Sequence, residues 1–263
     1  MYQTLKPFPQ YSNVSRVLDQ SGTTFYNAFQ VEADKHVGNG LTFMADVTLP
    51  SQYDNMATPV NKYNPAAEWV ETSDSFESRV AATYRIPFGM GQRWFNNRGL
   101  GRWLGDWQVA AIVTYNNAGP LQVTQSGEHF LNGVNRPNVT GAKMWSGNWD
   151  KVKPYFEGKG PLTPVFSTDA FANTGSQFVL GDAHRAYHAL RGPWYPVEDL
   201  SLKKVFPITE GKSFSLRMDY FNAFNRTQLP YPSTDINASN FGSITNKFGG
   251  GNRQGQIEGR IVF

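Results

Sequence analysis

Strict two-residue alternation over long stretches is the feature that most constrains this chain. From Leu41 the odd positions read Leu41, Phe43, Ala45, Val47 and Leu49, and the even ones Thr42, Met44, Asp46 and Thr48. The stretch from Phe76 repeats the pattern, with Phe76, Val80, Ala82, Tyr84 and Ile86 on one face and Glu77, Arg79, Thr83 and Arg85 on the other. An amphipathic helix would return an apolar residue roughly every three or four positions, so this period selects strands with one apolar and one polar face.

Five further stretches follow the rule less cleanly. Phe25, Phe29 and Val31 oppose Tyr26, Gln30 and Glu32; Trp107, Val109, Ala111, Val113 and Tyr115 oppose Gln108 and Thr114. Leu200, Leu202 and Phe206 oppose Ser201 and Lys203, with Lys204 falling on the apolar side. Phe214, Leu216, Met218 and Tyr220 oppose Ser215, Arg217 and Asp219, and Ile257, Ile261 and Phe263 oppose Gln256, Glu258 and Arg260. The result is about seven strands near the 9–11 residues that cross a bilayer at a tilt. The stretch 11–18 would make about eight, enough for a small closed barrel.

Alternation alone leaves two placements for the apolar side, a second sheet in a soluble sandwich or lipid around a barrel. Length favours the barrel, since strands of soluble sheets usually run to about 5–6 residues. The connections point the same way. Links 35–40 and 207–211 are short, link 88–105 is intermediate, and 50–75, 116–196 and 225–254 are long. Short turns on one side and long loops on the other is the arrangement of outer-membrane barrels. Aromatics gather near strand ends, with Trp94, Trp103 and Trp107 at one turn and Trp194 and Tyr195 at another strand's entry, as interfacial girdles do.

Composition excludes several functions. Aromatic residues make up 14% and charged ones 17%, with 25 Gly and 16 Pro, a bias toward strands and turns. The net charge of +3 comes from scattered Lys and Arg, so no basic stripe offers a nucleic-acid surface. The absence of cysteine removes disulfides, thiolate metal sites and cysteine nucleophiles together. No apolar run reaches the length of a transmembrane helix, which a strand-built membrane protein does not need. The start, Met1 to Pro7, lacks the basic and apolar regions of a secretory signal; for an envelope protein this raises the expectation that an earlier part exists.

Several segments, in order, resemble the Oar-like TonB-dependent outer-membrane receptors. They are Phe25-Tyr26-Asn27-Ala28-Phe29-Gln30-Val31 with Gly38-Asn39-Gly40-Leu41-Thr42-Phe43, then Tyr84-Arg85-Ile86-Pro87-Phe88-Gly89 with Trp107-Gln108-Val109. Asp199-Leu200-Ser201-Leu202, Arg217-Met218-Asp219-Tyr220-Phe221-Asn222-Ala223-Phe224-Asn225, Asn240-Phe241-Gly242-Ser243-Ile244 and the final 256–263 complete the series. The resemblance implies an all-β, antiparallel up-and-down transmembrane β-barrel segment, with residues 1–263 as the C-terminal part of a receptor barrel whose plug domain and signal peptide are absent. It implies the bacterial outer membrane as location and uptake of a nutrient or oligomer as role. The partners it implies are outer-membrane lipid, the barrel assembly machinery, the TonB complex reached through a missing N-terminal region, and a transported ligand of unknown identity. A final strand ending in an aromatic resembles the signal read by the assembly machinery; Ile261 and Phe263 fit it, and Gly259 sits one position off the usual pattern.

Candidate chemistry is sparse, and the chain reads as a non-enzyme without a cofactor. Asp182, His184 and His188 have metal-ligand spacing, and the two histidines would share a helix face, but Glu does not follow His184 as a zincin requires. The pattern reads as surface residues rather than a metal site. His36 and His129 are isolated, and neither Gly99, Gly101 and Gly105 nor Gly249-Gly250-Gly251 matches a phosphate loop. Trp145, Trp149, Tyr155 and Phe156 stand in the longest link, where they could grip a sugar or peptide or form the loop's own core. Two other readings stay open: a stand-alone outer-membrane barrel acting as adhesin or scaffold, and a soluble carbohydrate-binding β-sandwich.

Overall fold

The computed structural model describes residues 8–11, 22–38, 40–55, 64–73, 75–97, 99–127, 135–247 and 252–263. Outside them lie Met1 to Pro7, nearly all of the 11–18 stretch, Asn39, His129 and the Gly249–Gly251 triplet. In chain order the strands are β1 (Thr24–Val37), β2 (Leu41–Asp54), β3 (Val70–Ser73), β4 (Glu77–Arg85), β5 (Trp107–Asn116), β6 (Pro120–Leu121), β7 (Asn138–Val139), β8 (Phe171–Ala172), β9 (Tyr187–Arg191), β10 (Tyr195–Thr209), β11 (Lys212–Phe221) and β12 (Gln254–Val262). Two single-turn helices, α1 (Leu100–Leu104) and α2 (Val152–Phe156), stand in connections.

The seven long strands form one antiparallel wall in the order β1-β2-β4-β5-β10-β11-β12, with β3 extending the pairing of β2. These are the seven alternating stretches of the sequence. Each neighbour reverses direction, so the outermost strands β1 and β12 run the same way.

The register explains why the alternation is so strict. One row of directly opposed residues runs Val37, Leu41, Tyr84, Val109, Leu202, Met218, Ile257 across all seven strands. The next row, one residue over, runs His36, Thr42, Thr83, Ala110, Ser201, Asp219, Gln256. A slip of one residue in any strand would swap its faces, so each strand's pattern fixes its neighbours' alignment. The turn after β1 is tight: the Gly40 N–H donates to Val37 O at 3.1 Å and Gly40 takes φ +81°, which favours glycine. The turn after β10 is shorter than expected, because the strand continues through a bulge at Pro207/Thr209 and leaves Glu210 and Gly211 to reverse the chain.

The wall contributes no residue to the buried apolar core. That core comprises Leu121, Val123, Val152, Val165, Phe166, Ala170, Phe171, Ala183, Leu190 and Ile244, all from the β5–β10 and β11–β12 connections. The stretch expected to be a long surface loop is therefore a folded module. Two small sheets, β6–β9 and β7–β8, and an edge-to-face Phe166–Phe241 pair at 5.5 Å hold it together. Its strands of two to five residues are too short for alternation to reveal.

Candidate functional site

The functional element of this molecule is the wall itself and what it separates. Phe29, Leu49, Tyr84, Val109, Leu202, Ile257 and Ile261 stand on its apolar face and are exposed. Among the described residues the two further sheets have two strands each, too small to be the second layer that a sandwich needs. Aromatic pairs frame this face. At the loop end Tyr53 stacks on Trp69 and Phe76 lies against Trp194, both at 6.2 Å between ring centres. At the turn end Phe206 stacks on Phe214 at 5.9 Å and Phe88 meets Trp94 and Phe95 edge-on at 5.6 and 5.2 Å. From Trp107 to Tyr115 the apolar face of β5 runs roughly 26 Å along the strand, which covers most of an apolar band about 25 Å tall.

The opposite face is polar, and several of its charges are paired. Asp219, nearly buried, accepts from Arg217 Nε at 2.8 Å and from Gln256 Nε2 at 2.9 Å. Arg79 bonds Glu77 at 3.1 Å, and Arg85 bonds Asp106 at 2.8 Å. Such a face suits a wet lumen, where water solvates whatever the partners leave over.

Two buried charged side chains interrupt the apolar face, and both are satisfied at its edges. Glu198, at the loop end, accepts from the Tyr115 hydroxyl at 3.1 Å and from Arg226 at 3.1 Å. Lys204, at the turn end, donates to the Gly105 carbonyl and lies above the Trp107 and Phe206 rings at 5.5 and 5.1 Å. A buried charge without such partners would cost several kcal/mol.

The folded module sits on the loop-side end of β2 and β3 through two ion pairs and a histidine–carboxylate contact. Arg136 meets Glu68 at 2.6 Å with both side chains almost fully buried, Arg185 meets Asp54 at 2.5 Å, and His188 meets Glu71 at 2.7 Å. Ser51 and Tyr53 hydroxyls also hold Glu71, at 2.6 and 2.9 Å, and Thr72 holds Asp54 at 2.7 Å. None of these pairs follows from sequence spacing, because the partners are tens of residues apart in segments without periodicity.

The tip of the module is tied by side-chain amides. Gln125 Nε2 donates to Asn173 Oδ1 at 3.0 Å, Asn173 Nδ2 donates to Asn237 Oδ1 at 3.0 Å, and the Ser126 N–H donates to Asp235 Oδ1 at 2.9 Å. Burial works to raise the Asp235 carboxyl, but donation from the Ser126 and Asn237 amides and the Ser126 hydroxyl outweighs it and holds the group below its ordinary value.

The residues singled out from sequence are dispersed. Trp149 and Phe156 pack against the module core, Tyr155 lies edge-on to Phe156 at 5.4 Å, and Trp145 remains exposed. Ile261 pairs across from Phe214 on the apolar face, and Phe263 is almost wholly exposed. The helix face that His184 and His188 could have shared does not form. His188 belongs to β9 and bonds Glu71, His184 stacks edge-on against Tyr187, and Asp182 accepts from the Val139 N–H at 2.7 Å. Among the described residues no three His, Asp, Glu or Cys side chains converge as a metal site. Gly89, Gly101 and Gly105 have a packing role, since a side chain on any of them would strike the backbone of the same turn.

A one-sheet wall with an apolar, aromatic-framed outer face and a charge-paired inner face defines the class: a transmembrane β-barrel. The family model described as an outer membrane beta barrel domain matches residues 1–256, and the chain belongs to that family. Its place is the bacterial outer membrane. No curated relative matches the chain.

Proposed function

We propose that this chain forms part of the wall of a TonB-dependent receptor of the Oar-like type, which takes up a nutrient or oligomer across the outer membrane. The ordered run of motifs from Phe25 to Phe263 supports the reading, and so does the shape of the wall. Among the described residues its end strands β1 and β12 each pair on one side within the sheet, and unpaired strand edges are prohibitive in lipid. A wall of this kind asks for further strands, as a large plugged barrel provides. In this reading the chain catalyses nothing. The folded module stands over the extracellular mouth, ligand selection falls to it and the neighbouring loops, and energy comes from TonB through a plug outside these residues. Ile261 and Phe263 serve the assembly machinery during insertion.

An antibody against the module, residues 135–191, tests this on outer membranes from the native cell. A reactive band far above 29.5 kDa that crosslinks to TonB is the expected result. A heat-modifiable band at 29.5 kDa with no TonB adduct would overturn it and leave a stand-alone barrel.

A further inference from the structure

The connections at the turn end of the wall are unequal. Two are minimal, closing at Gly40 and at Glu210 and Gly211, whereas the described residues of 86–106 between β4 and β5 form a folded ledge. Its backbone is closed on itself: the Ile86 N–H donates to Trp107 O, the Gly89 N–H to Trp94 O and the Gly105 N–H to Gly101 O, all at 2.9 Å. Gly89, Gly101 and Gly105 touch backbone to backbone, which no larger residue would allow. Lys204 fixes the ledge in place. It leaves β10 in the same apolar row as Trp107 and Leu216, donates to the Gly105 carbonyl, and is buried there. The ledge therefore lies against the outward face of the wall at its periplasmic rim.

What the ledge shows to its surroundings is unlike a soluble turn. Met90, Trp94, Phe95, Leu100 and Trp103 are all exposed, Trp103 at 71%. Arg93 lies 5.3 Å from the Trp94 ring centre, and the nearby acid Asp106 is occupied by Arg85. An exposed apolar patch of this kind marks an interface. It lies at the turn end of the face that carries Tyr84, Val109 and Leu202, which are exposed as well. Aromatic rings beside a cation match the boundary layer, where rings sit among the upper acyl segments and arginine meets phosphate.

We infer that residues 86–106 are a lipid-binding ledge that seats in the periplasmic leaflet, with Trp94 and Trp103 in the acyl boundary and Arg93 on the phosphate of an anionic phospholipid. The inference needs the membrane wall but not the receptor reading.

The lack of native cysteine allows single spin labels in the full chain. Labels are placed at Trp103→Cys, Leu100→Cys, Val109→Cys on the wall and Lys143→Cys on the module. The vesicles combine phosphatidylcholine and phosphatidylglycerol in equal parts. Collisions with oxygen should exceed those with a water-soluble nickel chelate at 103, 100 and 109, and the order should reverse at 143. Lipid-like values at 109 with water-like values at both 103 and 100 would overturn the ledge while keeping the wall. Water-like values at 109 as well would overturn insertion of this chain and the ledge with it. Spin-labelled phosphatidylglycerol should be held at the protein in preference to phosphatidylcholine, and Arg93→Gln should cut that preference about fivefold. An unchanged preference would overturn the headgroup contact.

Discussion

The wall and the module solve the same problem in opposite ways. The module is built as a soluble domain is: Val123, Val165, Ala170 and Leu190 are completely buried, and its Arg136 and Arg185 meet Glu68 and Asp54 at the dock beside β2 and β3. The wall buries none of its apolar rows against protein and relies on lipid to cover them. Apolar burial is worth roughly 25 cal/mol per Å² when water is the alternative, and the module gains it from folding alone. The wall gains it only on entering a bilayer. The comparison teaches that hydrophobic stripes in the wall are addressed to a solvent, whereas hydrophobic residues in the module are addressed to one another.

The largest effect should follow from emptying the module. Phe166→Ala removes a fully buried ring and should cost about 3–5 kcal/mol of module stability. Protease protection of residues 135–191 should fall, while the wall's heat modifiability stays unchanged. Loss of both together would show that the two regions fold as one unit. Glu68→Ala leaves Arg136 charged and buried without its partner, at a cost of about 3–5 kcal/mol. Proteolysis should then begin at the junction of module and hairpin, with the module's own core last to open.

The wall responds to a different chemistry. Val80 and Ala81 are neighbours on opposite faces of β4. Val80→Arg should cost about 2–4 kcal/mol in a vesicle folding titration, as for a cation at the lipid midplane, and Ala81→Arg much less. Equal costs would break the assignment of faces. The smallest effect is a pH dependence confined to the module tip. The Asp235 carboxyl is held below its ordinary value in the folded state, so its contribution is present above the ordinary carboxylate range. It is lost as the pH falls through that range toward the folded value. Hydrogen exchange of the Ser126 and Asn237 amides should rise on acidification, and Asp235→Asn should remove that response.

The sequence made the wall legible because its constraint is periodic. Seven stretches of alternation correspond to seven strands, and even the outlier Lys204 marked a real departure, explained by the Gly105 carbonyl and two rings. The module was not legible, since its core comes from residues such as Val123, Val165 and Ile244 in irregular segments. Of the four loop aromatics, Trp149 and Phe156 help cover that core, a role the sequence left open beside ligand contact. The docking pairs were invisible for a related reason: Arg136 and Glu68 are joined only by the three-dimensional path of the chain. The glycines of the β4–β5 link showed their purpose only when their backbones were seen in contact.

The direction of the end strands sets an arithmetic for any ring that includes this sheet. Because β1 and β12 run the same way, joining them directly would make a parallel seam. A second copy turned about the membrane normal would meet it with the same defect at both seams. A copy turned over to make the seams antiparallel would put its loops on the wrong side of the membrane. An all-antiparallel ring must therefore place an odd number of strands between Thr24–Val37 and Gln254–Val262, one at the least, and its total is even.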